Sequence, residues 1–208
     1  MALEATHIRF SLDLKDHYKI TDLKKYVVGT IYPDSRFTTG VDRKITHPED
    51  FLNNNFFIAT DFQKGWFSHL LCDKLQAEVF MEDFSDVLLV VPAGEERWIR
   101  QTALKILADM DDVMKFDIQN FLPLLEHGEN PNNEDITKIL DFNKIFQDMY
   151  SDLSKLSIES YYSMWNKLRI DQVLAEKVRK TAEGYGNNKN IMERIPGAYS
   201  EMIRRAKI

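Results

Sequence analysis

Residues 61–84 read DFQKGWFSHLLCDKLQAEVFMEDF. The stretch fits a long helix, with Asp61 as its N-terminal cap. Within it, His69 sits amid Trp66, Phe67, Leu70 and Leu71, and Asp73 follows one turn later. Residues four apart share a helix face, so the imidazole and the carboxylate point the same way, into an otherwise apolar stripe. Buried polar groups need partners, either a hydrogen bond or a metal ion.

Working outward, the neighbouring segments are helical as well. Leu3, His7, Phe10 and Leu14 recur at three- and four-residue steps, which predicts an amphipathic first helix with His7 on its apolar stripe. His17, in KDHYK, reads as solvated. ITDLKKYVVGTIYPDS predicts a second helix, capped by Asp22 and buried through Leu23, Tyr26, Val27 and Ile31. Pro33 stops it and leaves Asp34 just past its end. SRFTTGVDRKITHPED, 35–50, reads as a loop carrying His47, and loops on rigid helices often hold site residues. GEERWIRQTALKILADMDDVMKF, 94–116, predicts a fourth long helix with Trp98, Leu104, Leu107 and Met114 among its apolar residues. HGENPNNED, 127–135, is a polar break. Helical patterns follow near 134–152, 155–182 and 190–206, the last two separated by EGYGNNKN. Almost nothing reads as a sheet, so the expected fold is all-α, a multi-helix bundle. Residues 1–128 form its helical core, and the helices of 129–208 are expected to pack on that core within one domain.

Composition narrows the function. The 208 residues carry 33 acids against 27 bases, a net charge of −6, which does not suit a nucleic-acid binder. From residue 171 onward bases outnumber acids by eight to five, read as a solvated helix face rather than a phosphate-binding patch. The single cysteine, Cys72, excludes an internal disulfide and reads as a small core residue. The start lacks the pattern of a secretory signal, and the apolar run VLLVV, 87–91, is too short to span a bilayer. The expectation is a soluble, cytoplasmic protein without membrane insertion.

Asp34, His47, His69 and Asp73, with His7, make a constellation. Imidazole nitrogen and carboxylate oxygen suit zinc, manganese or iron. The context is TH at 6–7, GTIYPDS at 29–35, RKITH at 43–47 and FSHLLCD at 67–73. Across residues 5–75 this resembles the zinc-dependent phospholipase C superfamily, which includes the fungal zinc nucleases. That family has an early His, a Gly-xxx-Pro-Asp segment ending a helix, a His in the next loop and a helical His-xxx-Asp. The resemblance implies a phospholipase C-like helical fold. It also implies a divalent metal, zinc above all, held by Asp34, His47, His69 and Asp73, with Asp73 bridging to a second metal touched by His7. Downstream the chain has only His127 and the acids Glu78, Glu82, Asp109, Asp111 and Asp112, so one or two metals are expected rather than three. The helical HD phosphohydrolases rank second, because no adjacent His-Asp pair occurs.

Such a metal suits hydrolysis of a small, soluble phosphate ester. Asp34 or Asp73 would orient the water as catalytic base, and Arg36 and Arg43 would steady the phosphate. Tyr32 and Trp66 read first as core. Three alternatives stand beside this reading. One is a non-catalytic helical protein with a structural metal. Another is a partner-binding module. The last is a hydrogen-bonded network in which His47 and His69 pair with Asp34 and Asp73.

Overall fold

The structure is a computed structural model that describes residues 3–48 and 59–207. Among the described residues there are eleven α-helices and no strand, so the all-α expectation holds. The four longest elements of the first two-thirds are α1 (Glu4–Leu14), α2 (Leu23–Ile31), α5 (Asp61–Asp83) and α7 (Glu95–Val113). Two helical turns, α3 (Arg36–Thr39) and α4 (Arg43–Thr46), lie in the stretch expected as a loop, and residues 49 and 50 of that stretch lie outside the described residues. A further turn, α6 (Ser85–Leu88), joins α5 to α7.

The remaining helices are α8 (Ile136–Tyr150), α9 (Ile158–Lys167), α10 (Gln172–Gly186) and α11 (Lys189–Ala206). The pattern expected as one helix over 155–182 is two. Arg169 takes the left-handed conformation at φ 57°, which an α-helix cannot propagate through, and Asp171 then caps α10 by accepting from the Leu174 N–H. Conversely, EGYGNNKN is largely helical: α10 runs to Gly186, and only Asn187 and Asn188 separate it from α11.

The cap expected at Asp61 belongs to Thr60. Its hydroxyl accepts from the Gln63 N–H, while the Gln63 side chain reaches back to the Thr60 N–H, a capping box. Asp61 has a different task. It accepts from the backbone N–H groups of Thr21 and Asp22 and from the Thr21 hydroxyl, tying the start of α2 to the start of α5. Asp22 caps α2 as expected.

Two apolar cores flank α1 and α7. Ala5, Ile8, Ile99, Ala103 and Ile106 join Phe142, Trp165 and Val178 in one. Phe10, Leu14, Leu104 and Leu107 join Phe80, Ile195 and Met202 in the other. Met114, expected among the apolar residues of α7, is 70% exposed. Cys72 is fully buried. Of the eight bases after residue 171, all but Lys207 are ion-paired, which supports the reading of a solvated face. No helix among the described residues is long and apolar enough to cross a membrane.

The tightest contact in the fold is between α2 and α5. A Cβ built on Gly29 would lie 2.0 Å from the Phe62 carbonyl oxygen, and one on Gly65 would lie 2.0 Å from the Tyr26 carbonyl oxygen. Glycine costs roughly 1 kcal/mol in a helix interior relative to alanine, yet here nothing larger fits between two backbones. Gly65→Ala is therefore expected to destabilise the protein by about 1–3 kcal/mol, lowering the melting temperature by roughly 2–4 °C per kcal/mol. Gly184→Ala, with nothing within 4 Å of its added Cβ, should be neutral or mildly stabilising. Thermal unfolding of the two variants checks the contrast, and equal melting temperatures would contradict the close approach.

Candidate metal centre

The α2–α5 crossing builds the site. Because the two backbones nearly touch, the His69 ring on α5 reaches the α2 backbone, with Nδ1 2.8 Å from the Thr30 carbonyl oxygen. A carbonyl only accepts, so Nδ1 carries the proton and Nε2 is left with a lone pair. Pro33 ends α2 in a short 3₁₀ turn, Tyr32–Ser35, which places Asp34 beneath the crossing, fully buried. His47 stands at the end of α4, and its Nδ1 is 2.9 Å from the Thr46 hydroxyl. Trp66 is core, as expected, but its indole N–H also donates to the Thr46 carbonyl at 2.7 Å, which pins α4 and so aims His47. Tyr32 is core too, and its hydroxyl bonds Glu134.

His7 arrives by a separate route. The first turn of α1 has no side-chain cap of its own, and its N–H groups need acceptors. Asp109 of α7 supplies one, accepting from the Thr6 N–H at 2.7 Å while also accepting from the hydroxyls of Tyr150 and Tyr161. This buried network fixes α1 so that the rings of His7 and His69 stack 3.9 Å apart.

The five expected ligands converge. His47 Nε2 lies 3.8 Å from Asp34 Oδ1 and 3.9 Å from Asp73 Oδ2. His69 Nε2 lies 4.0 Å from Asp34 Oδ2 and 3.9 Å from Asp73 Oδ2. His7 Nε2 lies 3.7 Å from Asp73 Oδ1. None of these is a hydrogen bond, which needs about 2.7–3.2 Å. Among the described residues, both Asp34 oxygens, His69 Nε2 and His7 Nδ1 are buried without a hydrogen-bond partner, at about 1–3 kcal/mol each. The separations instead approach the ligand–ligand spacing around a tetrahedral ion, about 3.3–3.4 Å for bonds of about 2.0–2.1 Å.

Two triads emerge where one tetrad was expected: His7, Asp34 and His69, all buried, and His47, His69 and Asp73. Both use His69, which has one free nitrogen, so that nitrogen serves one ion at a time. The outer triad borders a cleft of about 360 Å³ lined by Arg43, His47, Asp73, Lys74, Trp98, Gln101 and Lys105 among others. Three protein ligands beside a cleft would leave a fourth position for water or another ligand if an ion were held there.

The electrostatics suit ligation. Burial, helped by the adjacent His69, holds His7 well below the ordinary imidazole value and His47 down to about 3. Burial also lowers His69, against the pull of Asp34 and Asp73. All three imidazoles are thus neutral, as metal binding requires. Burial by itself would push the Asp73 carboxyl up, but the Lys105 ammonium above all holds it well below the usual range.

Of the two arginines expected to bind substrate, Arg43 lines the cleft, whereas Arg36 lies with Nε 3.7 Å from Asp34 Oδ1. The downstream acids supply no further ligand. Glu78 and Glu82 are exposed, Glu82 pairs with Arg205, Asp111 with Lys115 and Asp112 with Arg9, and Asp109 is spent on α1. His127 is bonded through its backbone, its carbonyl accepting from Asn143 and its N–H donating to the Leu124 carbonyl, and it belongs to neither triad. Two residues at the site went unread in the sequence. Lys105 donates to Asp73 Oδ1 at 3.1 Å. Glu4 is fully buried with neither carboxylate oxygen bonded, and burial, then the charges of Asp34 and Asp109, push its carboxyl well up. The three-residue step from Glu4 to His7 was the one available sign that both share a face; nothing in the sequence marks Lys105.

Comparison of the chain with protein-family models, with curated proteins and with solved structures finds no match.

The depressed imidazole values carry a sign. Protons compete with a metal only below a histidine's pKa, so lowered values keep the site available into mildly acidic solution. Zinc affinity is expected to change by less than about threefold between pH 8 and pH 6, where ordinary histidines would cost roughly 10–100-fold. Competition titrations with a chromophoric chelator at several pH values check this, and a steep loss beginning near pH 7 would contradict it.

Proposed function

We propose that the chain is a metal-dependent phosphoesterase of the zinc phospholipase C type, hydrolysing a small phosphate ester at the outer triad of His47, His69 and Asp73. The observation that carries the reading is the convergence of these groups, 3.7–4.0 Å apart and unbonded, beside an open cleft. A hydrogen-bonded His–Asp network would have closed those gaps and satisfied the orphaned atoms. The residues carrying the resemblance, His7, Asp34, His47, His69 and Asp73, are the ones that meet.

A divalent ion, when bound, supplies Lewis acidity toward a phosphoryl oxygen and acidifies a water. The chain's own residues do the rest. Asp73, ionised and with its side chain 17% exposed at the cleft, is placed to take the proton as the water oxygen bonds to phosphorus and the ester P–O bond breaks; the departing alkoxide takes a proton from solvent. Asp34, buried behind it, has its oxygens 3.8 Å from His47 Nε2 and 4.0 Å from His69 Nε2, where it would help hold the ion. Arg43, at the cleft, meets the phosphate, since a guanidinium fork matches its oxygens. Arg36 serves Asp34 instead.

A second reading has one observation in its favour. The inner triad, His7, Asp34 and His69, is sealed from solvent, which suits a structural ion in a non-catalytic protein.

Protein purified without chelators is expected to carry about one zinc, manganese or iron ion per chain. Asp73→Ala should lose that ion and any hydrolysis of a phosphate-ester panel, while Lys207→Ala should lose neither. Elemental mass spectrometry with a colorimetric phosphate assay checks both. Unchanged metal content in Asp73→Ala would sink the outer site, and bound metal without hydrolysis would favour the structural ion.

A further inference from the structure

The cleft beside the outer triad is unevenly charged. Among the described residues Asp73 is its one acid, and Arg43, Lys74 and Lys105 line it with three cations. Among the described residues Arg43 and Lys74 have no ion-pair partner, and Lys105 has one, Asp73. With a divalent ion bound, Asp34 and Asp73 would cancel its charge, and among the described residues no acid lining the cleft would be left to compensate the three cations. Lys105 differs from the other two. Its side chain is 12% exposed, so its stem is held by the fold, and its ammonium donates one N–H to Asp73 Oδ1 at 3.1 Å. An ammonium has three donors, so two are left beside the cleft, next to the face of Asp73 that borders it. Trp98 and Leu70 give the cleft an apolar wall. A volume of about 360 Å³ is that of a compact small-molecule site.

Resting on the phosphoesterase reading, we infer that the cleft takes a phosphate monoester and that Lys105 binds its terminal oxygens. A monoester near neutral pH carries close to two negative charges and three terminal oxygens, whereas a diester carries one charge and two such oxygens. The surplus of cations matches the first. Arg43 and Lys74, exposed at the rim, draw the dianion in, and Trp98 faces the organic part of the ester. Lys105 is then a substrate-binding residue as well as the group that keeps Asp73 ionised.

The test uses the zinc-loaded chain with 4-nitrophenyl phosphate, bis(4-nitrophenyl) phosphate and inorganic phosphate. Wild type should favour the monoester in kcat/KM by about tenfold or more, the worth of one charge-assisted bond. Lys105→Met, assayed at saturating zinc so that any weakening of Asp73 as a ligand acts on both esters alike, should lose about thirtyfold on the monoester and at least about threefold less on the diester. It should also bind inorganic phosphate about tenfold more weakly by calorimetry, and Lys105→Arg should recover part of each loss. If Lys105→Met unfolds, Arg43→Ala and Lys74→Ala on the surface replace it, each weakening phosphate binding severalfold. Preference for the diester, or variants that bind phosphate as wild type does, would overturn the inference and leave the phosphoesterase reading intact. Phosphate binding that needs Lys105, with neither ester hydrolysed, would support the subsite and overturn the hydrolase. Absence of any bound metal would overturn both.

Discussion

The contact on which the site depends is the passage of α2 over α5 at Gly29 and Gly65, where each glycine lies against a carbonyl oxygen of the other helix. Only at that separation does the His69 ring reach the Thr30 carbonyl, which fixes its tautomer and turns its free nitrogen toward Asp34. The 3₁₀ turn that Pro33 imposes on the end of α2 then delivers Asp34 to the same point. Asp61 locks the two helix starts together, so neither helix can rotate without breaking bonds at its end. A side chain at either glycine would wedge the crossing open and move two ligands apart at once. The fold accepts the helix-weakening cost of two glycines because the crossing admits nothing else.

Beneath that crossing the structure leaves both oxygens of a fully buried carboxylate, Asp34, without a hydrogen bond among the described residues. Asp109 accepts three hydrogen bonds in a site as buried as Asp34, yet Asp34 accepts none. Asp109 holds α1 in place; Asp34 and Asp73 face three neutral imidazoles across gaps too wide for hydrogen bonds and suited to an ion. Lys105 completes the balance on the open side by meeting the Asp73 oxygen that the outer triad does not use.

Much of this was legible in the sequence, for physical reasons. The four-residue step from His69 to Asp73, the Pro33 stop and the Asp22 cap are local, and local rules placed them correctly. The all-α architecture followed from three- and four-residue periodicity. What escaped was set by tertiary contact. Lys105 belongs to α7 and meets Asp73 across a helix interface 32 residues away. Asp109 caps a helix 103 residues before it, and no capping rule looks that far. Trp66 was read as core, and its bond to Thr46 at the end of α4 could not be seen from either segment alone. The break between α9 and α10 depends on a left-handed Arg169, a conformation that nothing about arginine announces. The cap was misassigned by one residue because Thr60 and Asp61 both suit the role, and Asp61 was taken by α2.

The central claim is that the converging imidazoles and carboxylates hold an ion through His69, and X-ray absorption spectroscopy of the metal-loaded chain tests it most directly. The account predicts nitrogen and oxygen ligands at about 2.0–2.1 Å, with the outer-shell scattering of imidazole rings, weakened in His69→Ala. A metal shell without imidazole scattering, or one unchanged in His69→Ala, would contradict it.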